Sequence, residues 1–141
     1  MRASNFNAGL EREMVFRSIS ALFYMFAFVA AAQAEPVSVP AAEIRALLNG
    51  NTVHGTWSGE EYKQYFDPSG STIYAPRKSQ STAGKWRVND KTDQYESWWE
   101  RSGWSAYGIA REDGQLFWIS RGLSPQPFKV LPGQQLVWVQ E

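Results

Sequence analysis

Few side chains in this sequence could carry acid–base or metal chemistry. His54 is the only histidine among the 141 residues, and cysteine is absent. One histidine cannot build a histidine-rich metal site, and it completes a Ser-His-Asp triad only where a serine and an aspartate converge on it. We therefore interpret His54 as a residue of a solvent-facing strand, and we expect neither a bound metal nor a cofactor.

Two pairs of carboxylates are the other catalytic candidates. Glu60 and Glu61 are adjacent, and Glu96 and Glu100 flank two tryptophans. A glycosidase holds two carboxyl groups several ångströms apart across a sugar-sized cleft, for which a small, filled barrel has little room. The chain also lacks the serine-elbow, phosphate-loop, zinc and dinucleotide motifs. The sequence therefore predicts a protein that is not an enzyme, with a carboxylate-based hydrolase as the remaining catalytic alternative.

The densest group of aromatic side chains lies at residues 93–109, in the segment DQYESWWERSGWSAYGI. Neighbouring residues of a strand point to opposite faces of a sheet, so Trp98 and Trp99 cannot share a face. Glu96 and Glu100 lie two residues before and after Trp98, so all three share one face of the strand. This pattern places Trp98 on the outer face and Trp99 in the core.

Two interpretations of the outward tryptophan stay open. In the first it is a cross-strand packing partner of an aromatic or long side chain. In the second it contacts a sugar ring, an apolar ligand or a partner protein. Under the second interpretation the predicted ligand-binding residues are Trp98, Trp104, Glu96 and Glu100.

The start of the chain has the features of an export signal. Residues 21–32 are an uncharged apolar run, shorter than the about 20 residues that span a bilayer. Arg12 and Arg17 lie before the run, and Ala32-Gln33-Ala34 at its end forms a cleavage site. We therefore predict a signal peptide at residues 1–34. Residues 1–13 resemble an upstream extension, which leaves translation starts at Met1 and Met14 both open. We expect a periplasmic or secreted protein with no stable membrane anchor after signal cleavage.

The remaining chain, residues 35–141, is nearly neutral, with 11 Lys and Arg against 12 Asp and Glu. It has no basic excess to neutralise phosphates, which excludes nucleic acid as a partner. Without cysteine it has no disulfides, so its core alone must stabilise it. All seven tryptophans lie in this part, and each large aromatic buries about 150–250 Å². We expect a monomer with an interior filled by side chains.

The pattern of turns predicts an all-β fold. Residues 35–51 are expected to form an N-terminal arm and one short helix at 40–48, and residues 52–141 a β-barrel domain. Short alternating segments separated by turn signals predict an antiparallel meander that closes into a small 8–9-stranded barrel. The strands are expected near 52–58, 62–67, 71–76, 82–88, 93–99, 104–111, 115–120, 126–131 and 135–139. The predicted core is Ile44, Leu47, Trp57, Phe66, Trp86, Val88, Trp99, Tyr107, Ile109, Trp118, Phe128, Val130, Leu136 and Trp138.

The sequence Gly55-Thr56-Trp57, on a first strand that follows a short helix, resembles the opening of the calycin barrels. These are the lipocalins, the fatty-acid-binding proteins and the avidin-like group. The resemblance implies that Trp57 closes the floor of the barrel. It also implies that the barrel binds a small ligand.

Two further resemblances concern secreted proteins. The pattern LLNGNTVHGTW, YFDPSGS, GKWRV and AYGIAREDGQ resembles a group of short bacterial secreted proteins of uncharacterised function. Members of that group carry a cysteine on each strand of the hairpin, where this chain has Tyr95 or Glu96 and Ala106. The chain is also similar to small secreted barrel inhibitors of bacterial metalloproteases, which implies that residues 35–39 form an N-terminal arm.

These expectations lead to two non-catalytic hypotheses of function. In the first, the mouth of the barrel binds a small apolar or carbohydrate ligand against exposed aromatic side chains. In the alternative, the outer face or the arm at residues 35–39 binds and inhibits an envelope or secreted enzyme, as the metalloprotease-inhibitor barrels do. Ligand binding ranks first because the calycin resemblance carries that association.

Overall fold

A computed structural model describes residues 35–139 of the chain. The predicted signal peptide at residues 1–34, with its upstream extension, lies outside the described residues. Within residues 35–139, no helix has the length and apolar character needed to cross a bilayer.

The described residues form one closed antiparallel β-barrel with a short helix. Strands β2 to β9 each pair with the next strand, and β9 also pairs with β2, so eight strands close the barrel. A further strand, β1, pairs with β7. The predicted all-β meander barrel with a single short helix is thus confirmed. The elements are β1 (Val37–Ser38), α1 (Ala41–Leu48), β2 (Thr52–Trp57), β3 (Glu60–Phe66), β4 (Ser71–Pro76), β5 (Thr82–Asn89), β6 (Gln94–Trp99), β7 (Gly103–Glu112), β8 (Gln115–Ile119) and β9 (Gln126–Leu131).

The up-and-down connectivity gives the barrel two ends. The connections after β2, β4, β6 and β8 lie at one end, which we call the mouth end. The connections after β3, β5 and β7 lie at the other end with α1, and we call this the helix end. Because side chains alternate between the inner and outer faces of each strand, the position of a residue along its strand fixes both its face and its end.

The helix end is filled by apolar side chains. Ile44 and Leu48 on α1 are completely buried and belong to the same core cluster as Val53 and Phe66. The ring of Phe66 contacts that of Trp86 edge to face, with 5.5 Å between the ring centroids. Edge-to-face packing of this kind stabilises aromatic pairs beyond their buried area. These residues form the closed floor of the barrel.

The turn between β5 and β6 holds α1 across this floor. The N-cap residue Pro40 makes no capping hydrogen bond with its side chain. Asp93 supplies the missing acceptor, because its Oδ1 accepts the Ala41 N–H at 2.7 Å. Arg45 in the same helix pairs with Asp90 at 3.0 Å. The helix is therefore capped by a turn that lies about fifty residues further along the chain.

The N-terminal arm is docked on the barrel. Strand β1 pairs with Arg111 and Ala110 of β7, and the Val39 N–H donates to the Ile109 carbonyl at 2.8 Å. The side chain of Val39 is buried in the core. Of the predicted arm at residues 35–39, residues 37–39 make these contacts, and only residues 35 and 36 lie before them. The sequence analysis missed β1 because two residues carry no alternating pattern.

The predicted strand at residues 135–139 is wrong. This segment has no regular secondary structure, and β2, the strand beside it, already pairs with β3 and with β9. The Thr52 hydroxyl instead donates to the Gly133 carbonyl at 2.7 Å and accepts from the Gln135 N–H at 2.9 Å. These bonds turn the segment back along the outer face of β2.

Two residues of the predicted core are accordingly misplaced. Trp138 lies on the outer face of the barrel, edge-on to His54 with 5.7 Å between ring centroids. The ammonium group of Lys63 lies 4.7 Å from the centroid of the Trp138 ring. Leu136 does not belong to the core cluster either. An apolar side chain on every second residue is equally typical of an extended segment packed outside a sheet.

The rest of the predicted core, with the exception of Trp99, lies in the core cluster or packs against it. The confirmed residues are Ile44, Leu47, Trp57, Phe66, Trp86, Val88, Tyr107, Ile109, Trp118, Phe128 and Val130. The cluster also contains residues that the sequence analysis did not name, which are Val39, Leu48, Val53, Tyr62, Tyr95 and Leu116.

Candidate ligand-binding cavity

The mouth end of the barrel is hollow. A cavity of about 670 Å³ opens there, within the range of 300–1,000 Å³ that is usual for small-molecule sites. Its wall contains seven aromatic side chains, which are Trp57, Tyr62, Tyr74, Tyr95, Trp99, Tyr107 and Trp118. The expectation of a filled interior is therefore wrong at this end and holds only at the helix end.

Two pairs of aromatic rings stack between adjacent strands along the wall of the cavity. Tyr62 and Tyr74 stack with 5.0 Å between ring centroids, and Tyr95 and Tyr107 stack at 5.9 Å. Each pair joins two adjacent strands, β3 with β4 and β6 with β7. The stacked rings cover these parts of the wall with apolar surface.

Trp57 is a wall residue and not the barrel floor. It is the last residue of β2, at the mouth end, and its ring contacts Tyr107 edge to face at 5.6 Å. The floor role that the calycin resemblance implies for Trp57 is therefore wrong here. Gly55 of the same motif has a packing role, because a Cβ there would lie 2.9 Å from the Pro127 carbonyl oxygen and 3.3 Å from the Tyr62 ring.

Trp99 faces inward and Trp98 outward, as the alternation predicts. Trp99 lines the cavity, half-buried, with its indole N–H 3.2 Å from the Ser97 hydroxyl oxygen. Its ring lies against Gly84, where a Cβ would come within 2.6 Å of two ring atoms and of the Trp98 carbonyl oxygen. The absence of a side chain at Gly84 therefore gives the Trp99 ring its place in the wall.

Replacing Gly84 by alanine is expected to lower the free energy of unfolding by about 1–3 kcal/mol, the usual cost of overpacking. The new methyl group would press on a backbone oxygen as well as on the Trp99 ring. Gly108→Ala is the matched control, because a Cβ there meets nothing closer than 3.6 Å. Urea unfolding of both variants measures the difference. Equal stability of the two would contradict the tight packing at Gly84.

A network of buried polar groups lies in the wall of the cavity. The Trp118 indole N–H donates to the Tyr62 hydroxyl at 2.7 Å. The Gln64 amide donates to the Thr72 hydroxyl and to the Tyr95 hydroxyl, both at 2.9 Å. Burial raises the pKa of Tyr62 and of Tyr95 far above the ordinary value. The interior therefore stays uncharged, with hydroxyl and amide groups between the rings.

The four predicted ligand-binding residues do not gather in one place. Glu100 lies in the turn after β6 and borders the mouth of the cavity. Trp98, Trp104 and Glu96 lie on the outer face of β6 and β7, where Trp98 and Trp104 are directly opposite each other. The structure thus separates one residue at the mouth from three residues outside the barrel.

On the outer face, long cationic side chains lie over the two tryptophans. The Arg87 guanidinium is 3.9 Å from the centroid of the Trp104 ring, and the Lys85 ammonium is 5.0 Å from that of Trp98. Glu96 accepts hydrogen bonds from Asn89 and Arg87, and these bonds lower the pKa of its carboxyl. This geometry is that of the cross-strand packing interpretation, in which a cationic side chain covers one face of each ring.

His54 has a carboxylate partner but no nucleophile. Its Nε2 lies 2.6 Å from Glu61 Oε1, and Arg77 donates to the other carboxylate oxygen at 3.0 Å. The hydrogen bond from His54, followed by that from Arg77, lowers the pKa of Glu61. Within residues 35–139 no serine or threonine hydroxyl bonds to His54, and no cluster of three or more metal-ligating side chains is present.

Sequence reasoning missed the cavity, although it named four of the aromatic wall residues, Trp57, Trp99, Tyr107 and Trp118. Residue types indicate which side chains point inward, but the volume left between them depends on their rotamers. The missed residues Tyr62, Gln64 and Tyr95 alternate with outward-facing charged residues on their strands. That alternation was the one signal in the sequence that could have identified them.

Comparison with known proteins gives no relative: no family model, no curated protein and no solved structure matches this chain. The chemistry of the cavity is therefore the basis on which a function can be proposed.

Proposed function

We propose that this protein is a non-catalytic binding protein, which holds a small, uncharged, ring-containing molecule in the cavity at the mouth end. The observation that carries this proposal is a cavity of about 670 Å³ walled by seven aromatic side chains. Aromatic walls offer large, rigid contact area to an apolar ring or to the C–H face of a sugar. Both the apolar and the carbohydrate ligands expected from the sequence belong to this class.

The absence of charge from the deep wall favours an uncharged ligand. Glu100 and Arg101 border the cavity only at the turn between β6 and β7, whereas tyrosine, tryptophan, glutamine and serine side chains line its depth. A charged group placed there would lose its hydration without gaining a charged partner, which costs several kcal/mol. We infer that any charge on the ligand stays at the mouth.

The signal-like start of the sequence supports a site of action outside the cytoplasm. If the signal peptide is cleaved as predicted, the barrel works in the periplasm or in the medium, where it would bind and carry or sequester its ligand. The second hypothesis, inhibition of an envelope protein through the arm, has less support. The backbone of residues 37–39 is already paired with β7.

Blocking the mouth is expected to weaken ligand binding about tenfold or more, since a bulky side chain would occupy the space of the ligand. Thr82 is an exposed residue that faces the cavity at its mouth, so Thr82→Trp blocks the cavity at little cost in stability. We suggest 2-naphthol as the probe and calorimetric titration as the measurement.

Ala83→Trp is the matched control for this experiment. Ala83 is exposed on the same strand, but it points to the outer face, opposite Ile73. The control variant should bind 2-naphthol as the unmodified protein does. If the unmodified protein binds no 2-naphthol, or if Thr82→Trp binds it equally well, the proposed function is wrong.

A further inference from the structure

The side-chain amide oxygen of Gln64, in the wall of the cavity, has no hydrogen-bond partner among residues 35–139. Gln64 on β3 is only 5 % exposed, and it lines the cavity. Both of its hydrogen bonds within residues 35–139 are made by the amide nitrogen. This amide oxygen is therefore free to accept a hydrogen bond from a group other than these protein side chains.

The orientation of the Gln64 amide is fixed by its neighbour. The Thr72 hydroxyl has a single proton, and it donates that proton to the Tyr65 carbonyl oxygen at 2.7 Å. Thr72 can therefore only accept the hydrogen bond from Gln64, which lies 2.9 Å away. If the amide were flipped, two acceptors would face each other. The nitrogen of Gln64 thus points to Thr72 and to Tyr95, and the oxygen points away from both.

The free oxygen reaches the cavity. Among the described residues, the one fully enclosed side-chain polar atom without a partner is the indole nitrogen of Trp138, on the outer face. Gln64 Oε1 has no partner either, so it is not fully enclosed, and the open space next to Gln64 is the cavity. An unpaired acceptor in an aromatic wall is suited to a donor on a bound molecule.

A donor to the ligand lies two residues away on the same face of β3. The Tyr62 hydroxyl accepts the Trp118 indole N–H, but its own proton has no acceptor among residues 35–139. Tyr62 also lines the cavity. The wall at β3 therefore presents an acceptor and a donor about two residues apart, between stacked rings.

We propose that the ligand donates an O–H or N–H hydrogen bond to Gln64 Oε1, so that the site selects ring compounds carrying such a donor over equally large rings that lack one. The ligand class is then a hydroxylated ring or a ring with an N–H group, such as a phenol, an indole or a sugar. This inference rests on the proposed function and narrows its ligand class. It follows the general rule that sites with a buried polar group reject analogues that leave the group unpaired.

Two probes that differ in the donor test the inference on the unmodified protein. 2-Naphthol carries an O–H group, and 2-methoxynaphthalene keeps the oxygen but has no donor. We expect 2-naphthol to bind about tenfold more tightly or better, as measured by calorimetry. Naphthalene is smaller and also lacks the donor, and it should bind as weakly as 2-methoxynaphthalene. This control distinguishes the effect of the missing donor from that of the added methyl group.

The variant Gln64→Met assigns the preference to this residue. It keeps the length of the side chain and removes the amide oxygen. The variant should therefore bind 2-naphthol and 2-methoxynaphthalene with nearly equal affinity. Thermal melting checks that the variant is folded, and the comparison on the unmodified protein does not depend on it.

The outcomes separate the two proposals. Equal affinity for 2-naphthol and its methyl ether in the unmodified protein would overturn this inference and leave the proposed function intact. A tenfold preference that persists in Gln64→Met would overturn the assignment to Gln64. If none of the three probes binds, the proposed function fails and this inference fails with it.

Discussion

Replacing Phe66 by alanine is expected to lower the free energy of unfolding by about 3–5 kcal/mol, the usual cost of truncating a buried phenylalanine. Phe66 is completely buried, and its ring contacts those of Trp86 and Tyr95 edge to face, each at 5.5 Å between centroids. Alanine would remove both contacts and leave a cavity in the floor below α1. Small domains are stable by only about 5–15 kcal/mol, so the variant is expected to be near the limit of folding.

Urea unfolding followed by tryptophan fluorescence measures this loss. Phe117→Ala is the matched control, because Phe117 is a half-buried phenylalanine on the outer face of β8. Its truncation should cost about 1 kcal/mol, the typical effect of a substitution outside the core. A similar loss in both variants would show that the helix end is not the main source of stability.

The sequence was sufficient to predict the strands of the barrel because two local signals agree. Turn residues mark the ends of the strands, as in the segment from Asp67 to Gly70 between β3 and β4, and alternation marks their faces. Trp98 and Trp99 are the clearest example, since adjacent residues of one strand must separate to the two faces. Eight of the nine predicted strands match observed strands to within two residues at each end.

The errors concern features that local patterns do not determine. The alternation of Leu136 and Trp138 fits an extended segment on either side of the wall, and only the closure of the barrel by β2 and β9 decides between them. The short strand β1 depends on a contact with β7 that lies far along the chain. Both cases need the tertiary arrangement, which periodicity alone does not supply.

The candidate site was predicted less well than the fold, for a related reason. The sequence pattern indicated function at exposed aromatic residues, Trp98 and Trp104, and both lie on the outer face. The cavity depends instead on the rotamers of inward-facing rings and on the direction of one amide, that of Gln64. Both are set by neighbours on other strands, such as Thr72 on β4 and Tyr95 on β6, and so they could not be deduced from spacing.

Above about pH 10 the protein is expected to lose stability steeply. Burial raises the pKa of Tyr62 and of Tyr95 well above the value of about 10 in an unfolded chain, and it raises the pKa of Tyr74 to about 12. Between pH 10 and 12 the unfolded chain therefore releases tyrosine protons that the folded barrel keeps. The unfolded state binds fewer protons, so the free energy of unfolding falls as the pH rises.

The steepness with which the free energy of unfolding falls with pH depends on the number of buried tyrosines. Each group that is ionised only in the unfolded state lowers the free energy of unfolding by about 1.4 kcal/mol per pH unit, so the buried Tyr62 and Tyr95 together give about 3 kcal/mol per unit. Tyr74 is half-buried and adds a smaller contribution, because solvent screens its charge. Below pH 10 the same groups are protonated in both states and contribute no slope. Urea unfolding at a series of pH values between 8 and 12, a range chosen to span the pKa of about 10 in the unfolded chain, measures the curve.

Tyr74→Phe isolates one of the three contributions. The Tyr74 hydroxyl makes no hydrogen bond within residues 35–139, so its removal leaves no buried group without a partner. Phenylalanine keeps the ring that stacks on Tyr62. Between pH 10 and pH 12 the free energy of unfolding of the variant should therefore fall less steeply with pH than that of the unmodified protein. The difference should be less than about 1.4 kcal/mol per pH unit, because Tyr74 is half-buried, and there should be no difference in slope at neutral pH. An identical alkaline slope in the two proteins would mean that Tyr74 ionises as readily in the barrel as in the unfolded chain, and that water reaches this wall of the cavity freely.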